Sequence, residues 1–332
     1  MNKEKNYSTW KKAADLNIPE GQLLCGYSPI AEGITRNAEG AIRGIRPNES
    51  TLDEAVKMIS PAAEQGLAEA QYCLAGVYYL MGGDVNGGKA FQWYQKAVDQ
   101  DFVPAYNDLG TCYQDDTGGC TTGDRDEGLK IAIDLIEKGA MKNDCVAQNS
   151  MGTSYNFGIG RPKDRKKATE WFLKSAKQGY ARAQFNLAKQ YEDDGKYGEA
   201  CEWYEKAILQ DNVYGKAQAM VNLGYLLQEN SERLMDHRRG ADLYEEVTEL
   251  FQKTLEQFEV NSIESLGEAI DRIHPDFVEA ASVAHLNLGN CYNSGKGRPR
   301  NMVEANKNYL SALVLGNEVA LQICIRRGII QP

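Results

Sequence analysis

Four groups of residues have side chains whose types and spacing could do chemistry. Gly158-Ile159-Gly160-Arg161-Pro162 and Gly295-Lys296-Gly297-Arg298-Pro299 have the glycine density of a phosphate-cradling loop. Neither follows a strand pattern, and neither ends in Gly-Lys-Ser/Thr, so the P-loop chemistry is missing. Glycine supplies positive φ and proline presets a helix entry, so both stretches are expected to be turns between paired helices. Cys112 and Cys120 flank an acidic loop containing Asp115 and Asp116, with Asp124 beyond it. Zinc would need closer cysteines or a nearby histidine, and calcium the regular spacing and final Glu of an EF-hand. Free thiols are expected there, with a local disulfide as the alternative in an exported protein. His237, His274 and His285 have no accompanying Glu-x-x-His or His-Glu-x-x-His, and are expected to be surface or hydrogen-bonded histidines. Ser8-Thr9-Trp10-Lys11 has a Ser-x-x-Lys form but lacks the Ser-Asp-Asn and Lys-Thr-Gly strings that would complete that chemistry. No nucleophile finds a credible base, so the expectation is no catalytic residue, no cofactor and no metal.

Composition narrows the class of partner. The 332 residues carry 37 Lys and Arg against 47 Asp and Glu, a net charge of -10. A nucleic-acid backbone needs a basic stripe, so nucleic acid is excluded and a basic or neutral protein is favoured. No apolar run is long enough to span a membrane. The N-terminal stretch is charged and lacks an apolar core, so no secretory signal is expected. The eight cysteines are scattered and fall mostly in predicted helices, which suits reduced thiols in a cytoplasm; export is the alternative.

The elements that position these residues repeat. The pattern Ala-x-x-x-Leu-Gly/Ala-x-x-Tyr starts at Ala70, Ala105, Ala147, Ala183, Ala219 and Ala284, with a degenerate copy at Ala320. The steps between anchors are 35, 42, 36, 36, 65 and 36 residues. Ala and Leu four apart, then a small residue and Tyr, share one helix face. The small residue beside Leu lets a second helix approach closely. That second helix reads Lys-Ala-x-x-Trp-aromatic-x-Lys, as at Lys89–Lys96 and Lys167–Lys174, with a close variant at Glu199–Lys206. Its Trp93, Trp171 and Trp203 are expected in the core and not in a ligand cage. Neither helix buries its face alone, so stacked neighbours must share a continuous core.

The third copy states the full phrase with Ala147, Met151, Gly152, Tyr155, Gly158, Gly160, Asp164, Lys167, Ala168, Trp171, Ala176, Gly179 and Ala183. It resembles the Sel-1-like repeat, a relative of the tetratricopeptide repeat, and the resemblance covers about residues 50–330. The resemblance implies an all-α fold, a right-handed α-solenoid of antiparallel helix pairs, and a role as a non-enzymatic adaptor. It also implies that the first helix of each pair lines a concave groove. With the anchor Ala as position 1, positions 3, 7, 10 and 11 face that groove. They include Tyr72 and Tyr79; Asn107, Thr111 and Gln114; Asn149, Thr153, Asn156 and Phe157; and Phe185 and Lys189. Amide and hydroxyl groups there can bond an extended peptide backbone, and aromatics can anchor side chains.

The flanks depart from the repeat. Residues 1–50 lack the pattern and read as an N-terminal cap or a partner arm, with short helices near 7–16 and 30–43. Residues 51–330 read as the solenoid. The long fifth step marks a helical insertion at about 229–283, a candidate second partner surface, with a chain break at His274-Pro275. The functional expectation is an adaptor that binds a protein or peptide in the groove. The alternatives are an exported bacterial factor engaging a host protein and a hydrolase.

Overall fold

The computed structural model describes residues 49–120, 124–210, 213–230, 234–258 and 263–331. The expected helices near 7–16 and 30–43, nearly all of the cap or arm at 1–50, and Cys25 lie outside them. Among the described residues run fifteen helices, and the fold is all-α. They divide into two compact units, one through Ala183 and one from Gln184.

In the first unit, α1 (Glu49–Glu64) packs on α2 (Ala68–Met81), which pairs with α3 (Asp84–Asp99). Two further antiparallel pairs follow: α4 (Val103–Gln114) with α5 (Arg125–Met141), and α6 (Cys145–Phe157) with α7 (Arg165–Lys177). Helix α8 (Ala181–Asp193) spans the division between the units. In the second unit come α9 (Tyr197–Ile208), α10 (Val213–Glu229) and α11 (Leu234–Leu255). After these lie α12 (Ile263–Arg272), α13 (Pro275–Ser294), α14 (Met302–Val314) and α15 (Glu318–Arg326). Each unit is a run of stacked helix pairs, the α-solenoid arrangement.

The pattern residues make the core. Ala105, Leu109, Ala147, Met151, Ala183, Leu187, Ala284 and Leu288 are buried. The small residue of the pattern sets the closeness of the pair. A Cβ on Gly152 would meet the Phe172 ring, on Gly224 the Tyr244 ring, and on Gly289 the Tyr309 ring. In each case the ring belongs to the second helix of the same pair. This ring residue follows the Trp of the pattern, and Tyr94, Phe172 and Tyr204 are buried. The Trp itself sits half-buried between neighbouring pairs. Trp171, for example, packs against Ile136, Ala140, Ala147 and Met151. The repeated Lys three residues on lies over its face, at 3.7 Å for Lys96 on Trp93 and 3.9 Å for Lys174 on Trp171 and Lys206 on Trp203. Such a cation–π contact at a partly exposed ring contributes about 0.5–1 kcal/mol.

Turns between pairs need a left-handed residue. Gly66, Gly179 and Gly316 supply it, and Asp101 and Asn143 take the same conformation without being glycine. Both glycine-rich loops are turns, as expected: Gly158, Gly160, Gly295 and Gly297 all have positive φ. Their arginines reach back to the preceding pair. Arg161 lies 3.5 Å from Glu137, and Arg298 lies 2.7 Å from Asp242 and 2.5 Å from Glu245. Asp124 caps α5 by accepting from the Asp126 and Glu127 amides, as its position predicts.

Of the stretch 229–283, the residues of α11 around Tyr244 form the second helix of the fifth pair, seated over Gly224. The additions are the far end of α11, then α12 and the first half of α13. Phe251 and Phe277 meet edge to face at 5.4 Å and join these additions to the core of the second unit. His274 sits at the predicted break and caps α13 by accepting from the Asp276 amide.

Candidate protein-binding face

The first helices of the pairs present the positions expected to line a groove, and their side chains differ in exposure. Tyr79 and Phe157 stand out from the surface, 41% and 62% exposed. Tyr72 is half-buried, with its ring centroid 5.8 Å from Tyr94 and 5.4 Å from Phe102. Asn107 and Asn149 are buried, each 6% exposed. Thr111 is half-buried and donates to the Asn107 carbonyl at 3.1 Å. Gln114, Thr153 and Asn156 are also half-buried. Phe185 is half-buried against Tyr204, with centroids 5.7 Å apart. Lys189 is exposed and pairs with Glu192 at 3.0 Å and Asp193 at 3.6 Å on its own helix. Tyr72, Asn107 and Thr111 therefore converge in the first unit. Phe185 and Lys189 belong to the second.

A position outside that set proves to be organised as well. The second helix of a pair lays its tyrosine across the small residue of the first. The hydroxyl then emerges on the first-helix face and meets position 4, 7 or 10 of the pattern. Tyr204 donates to Glu192 at 2.6 Å and accepts from Asn222 at 3.1 Å. The Tyr244 hydroxyl bonds Asn287, and Tyr309 donates to Asn290 at 3.0 Å. Burial raises the Tyr204 and Tyr244 hydroxyls far above the usual range, so they remain neutral donors. Position 4 reads Asp108, Asn222 and Asn287, a polar residue directly before the buried Leu. That juxtaposition was the available signal.

In the second unit these residues enclose space. A cavity of about 410 Å³ is lined by Tyr225, Gln228, Tyr244, Asn287, Asn290 and Asn293, among others. Tyr225, Asn290, Gln228 and Asn293 are positions 7 and 10 of the pattern in α10 and α13. The same rule that picked Thr111 and Asn156 therefore picks them too. Lys296 donates to the Gln228 carbonyl at the rim. A second cavity, of about 630 Å³, lies beside the insertion, where Ile270, Pro275, Val278 and Val283 face Leu315 and Val319.

Cys73, Cys112, Cys120, Cys145, Cys201, Cys291 and Cys324 carry free thiols. Burial pushes the Cys73 and Cys112 thiols up to about 12, away from the reactive thiolate. Cys120 donates its thiol to the Cys112 carbonyl at 3.0 Å. His285 is held below the ordinary histidine value by burial, and its Nδ1 lies 2.9 Å from Asn308 Oδ1. Among the described residues no helix is long and apolar enough to cross a membrane, and no three His, Cys, Asp or Glu residues group as metal ligands.

Comparison with known proteins agrees with the repeat register. The Sel1 repeat matches residues 68–102, 103–144, 145–180, 181–212, 217–246 and 282–317, more than half of the chain. The residues between the last two matches, 247–281, are those added by the insertion. Chitin synthase regulator SKT5 of Saccharomyces cerevisiae is 29% identical over 180 residues, covering 49% of this chain and 25% of that protein. Chitin synthase regulatory factor 3 of Schizosaccharomyces pombe is 29% identical over 144 residues, covering 42% and 15%. The chain thus spans a quarter or less of these relatives. A Sel1 repeat protein from Oxalobacter formigenes has the same fold, with a TM-score of 0.52 at 21% identity over 72% of this chain and 87% of that one. The six matched repeats and their helix-pair geometry place this chain in the Sel1 repeat family.

Proposed function

We propose that this protein is a non-enzymatic adaptor that binds a protein or peptide along the first helices of its repeats. The observation that carries this reading is the cavity of about 410 Å³ in the second unit. Its walls come from successive repeats, at the positions the repeat phrase reserves for solvent. They offer amide donors and acceptors beside tyrosine rings, the combination that binds an extended chain. The regulator names of the yeast relatives suit a protein that acts by holding others. The cavity beside the insertion is proposed as a second surface, for an apolar segment of a partner. A cytoplasmic location belongs to the same proposal, supported by the irregular spacing of the cysteines, and thiol titration of the native protein tests it.

The test is affinity capture followed by mass spectrometry, with Tyr225→Ala as the principal variant. Tyr225 is 51% exposed, so its loss removes a contact without emptying the core. The triple variant of Tyr72, Asn149 and Phe185 to Ala probes the other expected positions. Loss of the partner from Tyr225→Ala at an unchanged melting temperature is expected; the triple variant, whose rings are half-buried, is expected to lose the same partner and also to melt lower. Partner recovery unchanged in both overturns the assignment of the binding face.

A further inference from the structure

One place in the first unit holds a carboxylate whose hydrogen-bond donors are all neutral, beside a buried amide oxygen with no donor. Asp108, at position 4 of α4, is recessed among Tyr72, Tyr94 and Asn107. Its carboxylate accepts from Asn107 Nδ2 at 3.0 Å and from the Tyr72 hydroxyl. Both donors are neutral. No lysine or arginine pairs with this carboxylate among the described residues. Desolvation raises its pKa, and the nearby Asp144 adds to the shift.

A second observation points the same way. The Asn107 side chain is 6% exposed, yet its Oδ1 has no hydrogen-bond partner. Its Nδ2 is committed to Asp108, so the amide plane abuts the carboxylate and the free Oδ1 lies beside it. A buried acceptor left without a donor is costly, and a recessed carboxylate without a cation more so. The repeat phrase does not call for a charge here: Asn222 and Asn287 fill the same position in other repeats and are neutral.

We propose that this niche receives an arginine side chain from a bound peptide, with Asp108 and Asn107 Oδ1 as its acceptors and the tyrosine rings as its walls. A guanidinium is planar and carries five donors, so it can reach a carboxylate and a carbonyl together. Its face can also lie on an aromatic ring, and the Tyr72 and Tyr94 rings form a tilted pair 5.8 Å apart at this spot. Lysine offers a point charge with no such plane. The surroundings agree in sign. Asp115 acts on Tyr79, and Asp108 and Asp144 act on Tyr180, on which Arg182 acts in the opposite sense. A protein with net charge -10 also draws a basic segment from a distance.

The inference rests on the first-helix face being a peptide-binding surface, and the experiment separates the two. The full chain, with its tyrosines isotope-labelled in the ring, is titrated with acetyl-arginine methylamide, the matching lysine amide and the uncharged citrulline amide. Saturable shifts of the Tyr72 and Tyr94 signals by the arginine amide are expected. The lysine amide should bind several-fold more weakly and the citrulline amide should not bind. Asp108→Asn should weaken the arginine amide at least tenfold without lowering the melting temperature. No saturable shift, equal response to lysine, or binding unchanged in Asp108→Asn overturns the proposal. So does a clear loss of thermal stability in Asp108→Asn, since Asp108 would then be a structural residue. If the niche fails while Tyr225→Ala still loses its partner, the arginine site is wrong and the adaptor reading stands.

Discussion

A Cβ on Gly152 would stand 2.5 Å from the nearest ring atom of Phe172. These two residues set the distance between the helices of the third pair, and the arrangement repeats at Gly224 with Tyr244 and Gly289 with Tyr309. Gly152→Ala is therefore an overpacking change, expected to cost about 1–3 kcal/mol. Gly198 lies in a helix with nothing within 4 Å of its would-be Cβ. Gly198→Ala is expected to stabilise by about 0.5–1 kcal/mol through helix propensity alone. Urea denaturation of the two variants should move in opposite directions. A Gly152→Ala protein as stable as the parent would show that the ring is free to shift.

The joints between pairs rest on glutamines. Gln148 Nε2 donates to the Ala140 carbonyl at 3.3 Å and to Asn143 Oδ1 at 3.1 Å, while its Oε1 accepts from Gln178 at 2.8 Å. The same clasp occurs two repeats earlier, where Gln71 bonds the Ala63 carbonyl at 3.2 Å and accepts from Gln100 at 2.8 Å. Gln148→Ala leaves these groups underbonded in a buried joint and is expected to cost about 1–3 kcal/mol. Hydrogen exchange should report the loss around Ala140–Gln148 first. Uniform loosening along the whole first unit would count against a local clasp.

The helix pairs were legible in the sequence because one phrase, written six times, fixes which face is buried. Ala, Leu and Gly of that phrase are core residues, and the anchor spacing reproduces the boundaries of the matched repeats. The insertion was less legible. The second helix of the fifth pair has lost its Trp, so α11 reads as part of the added polar stretch until Tyr244 is seen over Gly224. The proposed binding face was legible only in part. Position counting identifies a helix stripe, but it does not know that a tyrosine from the paired helix crosses Gly or Ala and emerges there. Tyr204 and Asn222, which bond at 3.1 Å, lie 18 residues apart, beyond what a helical period can relate. Asn107 carries the same lesson: counted as a groove residue, it is only 6% exposed.

Asp108 should leave a signature in the pH dependence of stability. Its folded pKa is raised, chiefly by desolvation, above that of the unfolded chain. Between the unfolded and folded values the native state binds more protons than the unfolded state, so stability falls as pH rises through that window. Asp108→Asn removes this penalty. The variant is expected to exceed the parent in melting temperature at pH 7, and the gap should close as pH falls below the unfolded carboxylate value near 4. Asp115 and Asp144 are raised by desolvation too and remain in both proteins, so the difference between the two curves isolates Asp108. A gap that widens on acidification would mean that the carboxylate is stabilised in the fold.

Arg298 carries the last test, because it shows what the Gly-x-Gly-Arg-Pro loops are for. Its side chain is 12% exposed, and its guanidinium meets Asp242 at 2.7 Å and Glu245 at 2.5 Å on α11. The two carboxylates are about half exposed, so water screens the pair and the full cost of breaking a buried ion pair does not apply. Arg298→Ala is expected to cost about 1–2 kcal/mol, at and below the low end of the range for hydrogen bonds to charged groups because water screens the pair. Arg298→Lys should recover less than half of that, because an ammonium cannot span Asp242 and Glu245 as the planar fork does. Salt should weaken the parent more than the Ala variant if the ion pairs hold the loop. The decisive readout is hydrogen exchange over residues 295–301. Faster exchange there, with α11 also loosened near Asp242, means that the loop clamps one pair onto the pair before it. Unchanged protection in Arg298→Ala would leave the turn glycines as the sole reason for the motif.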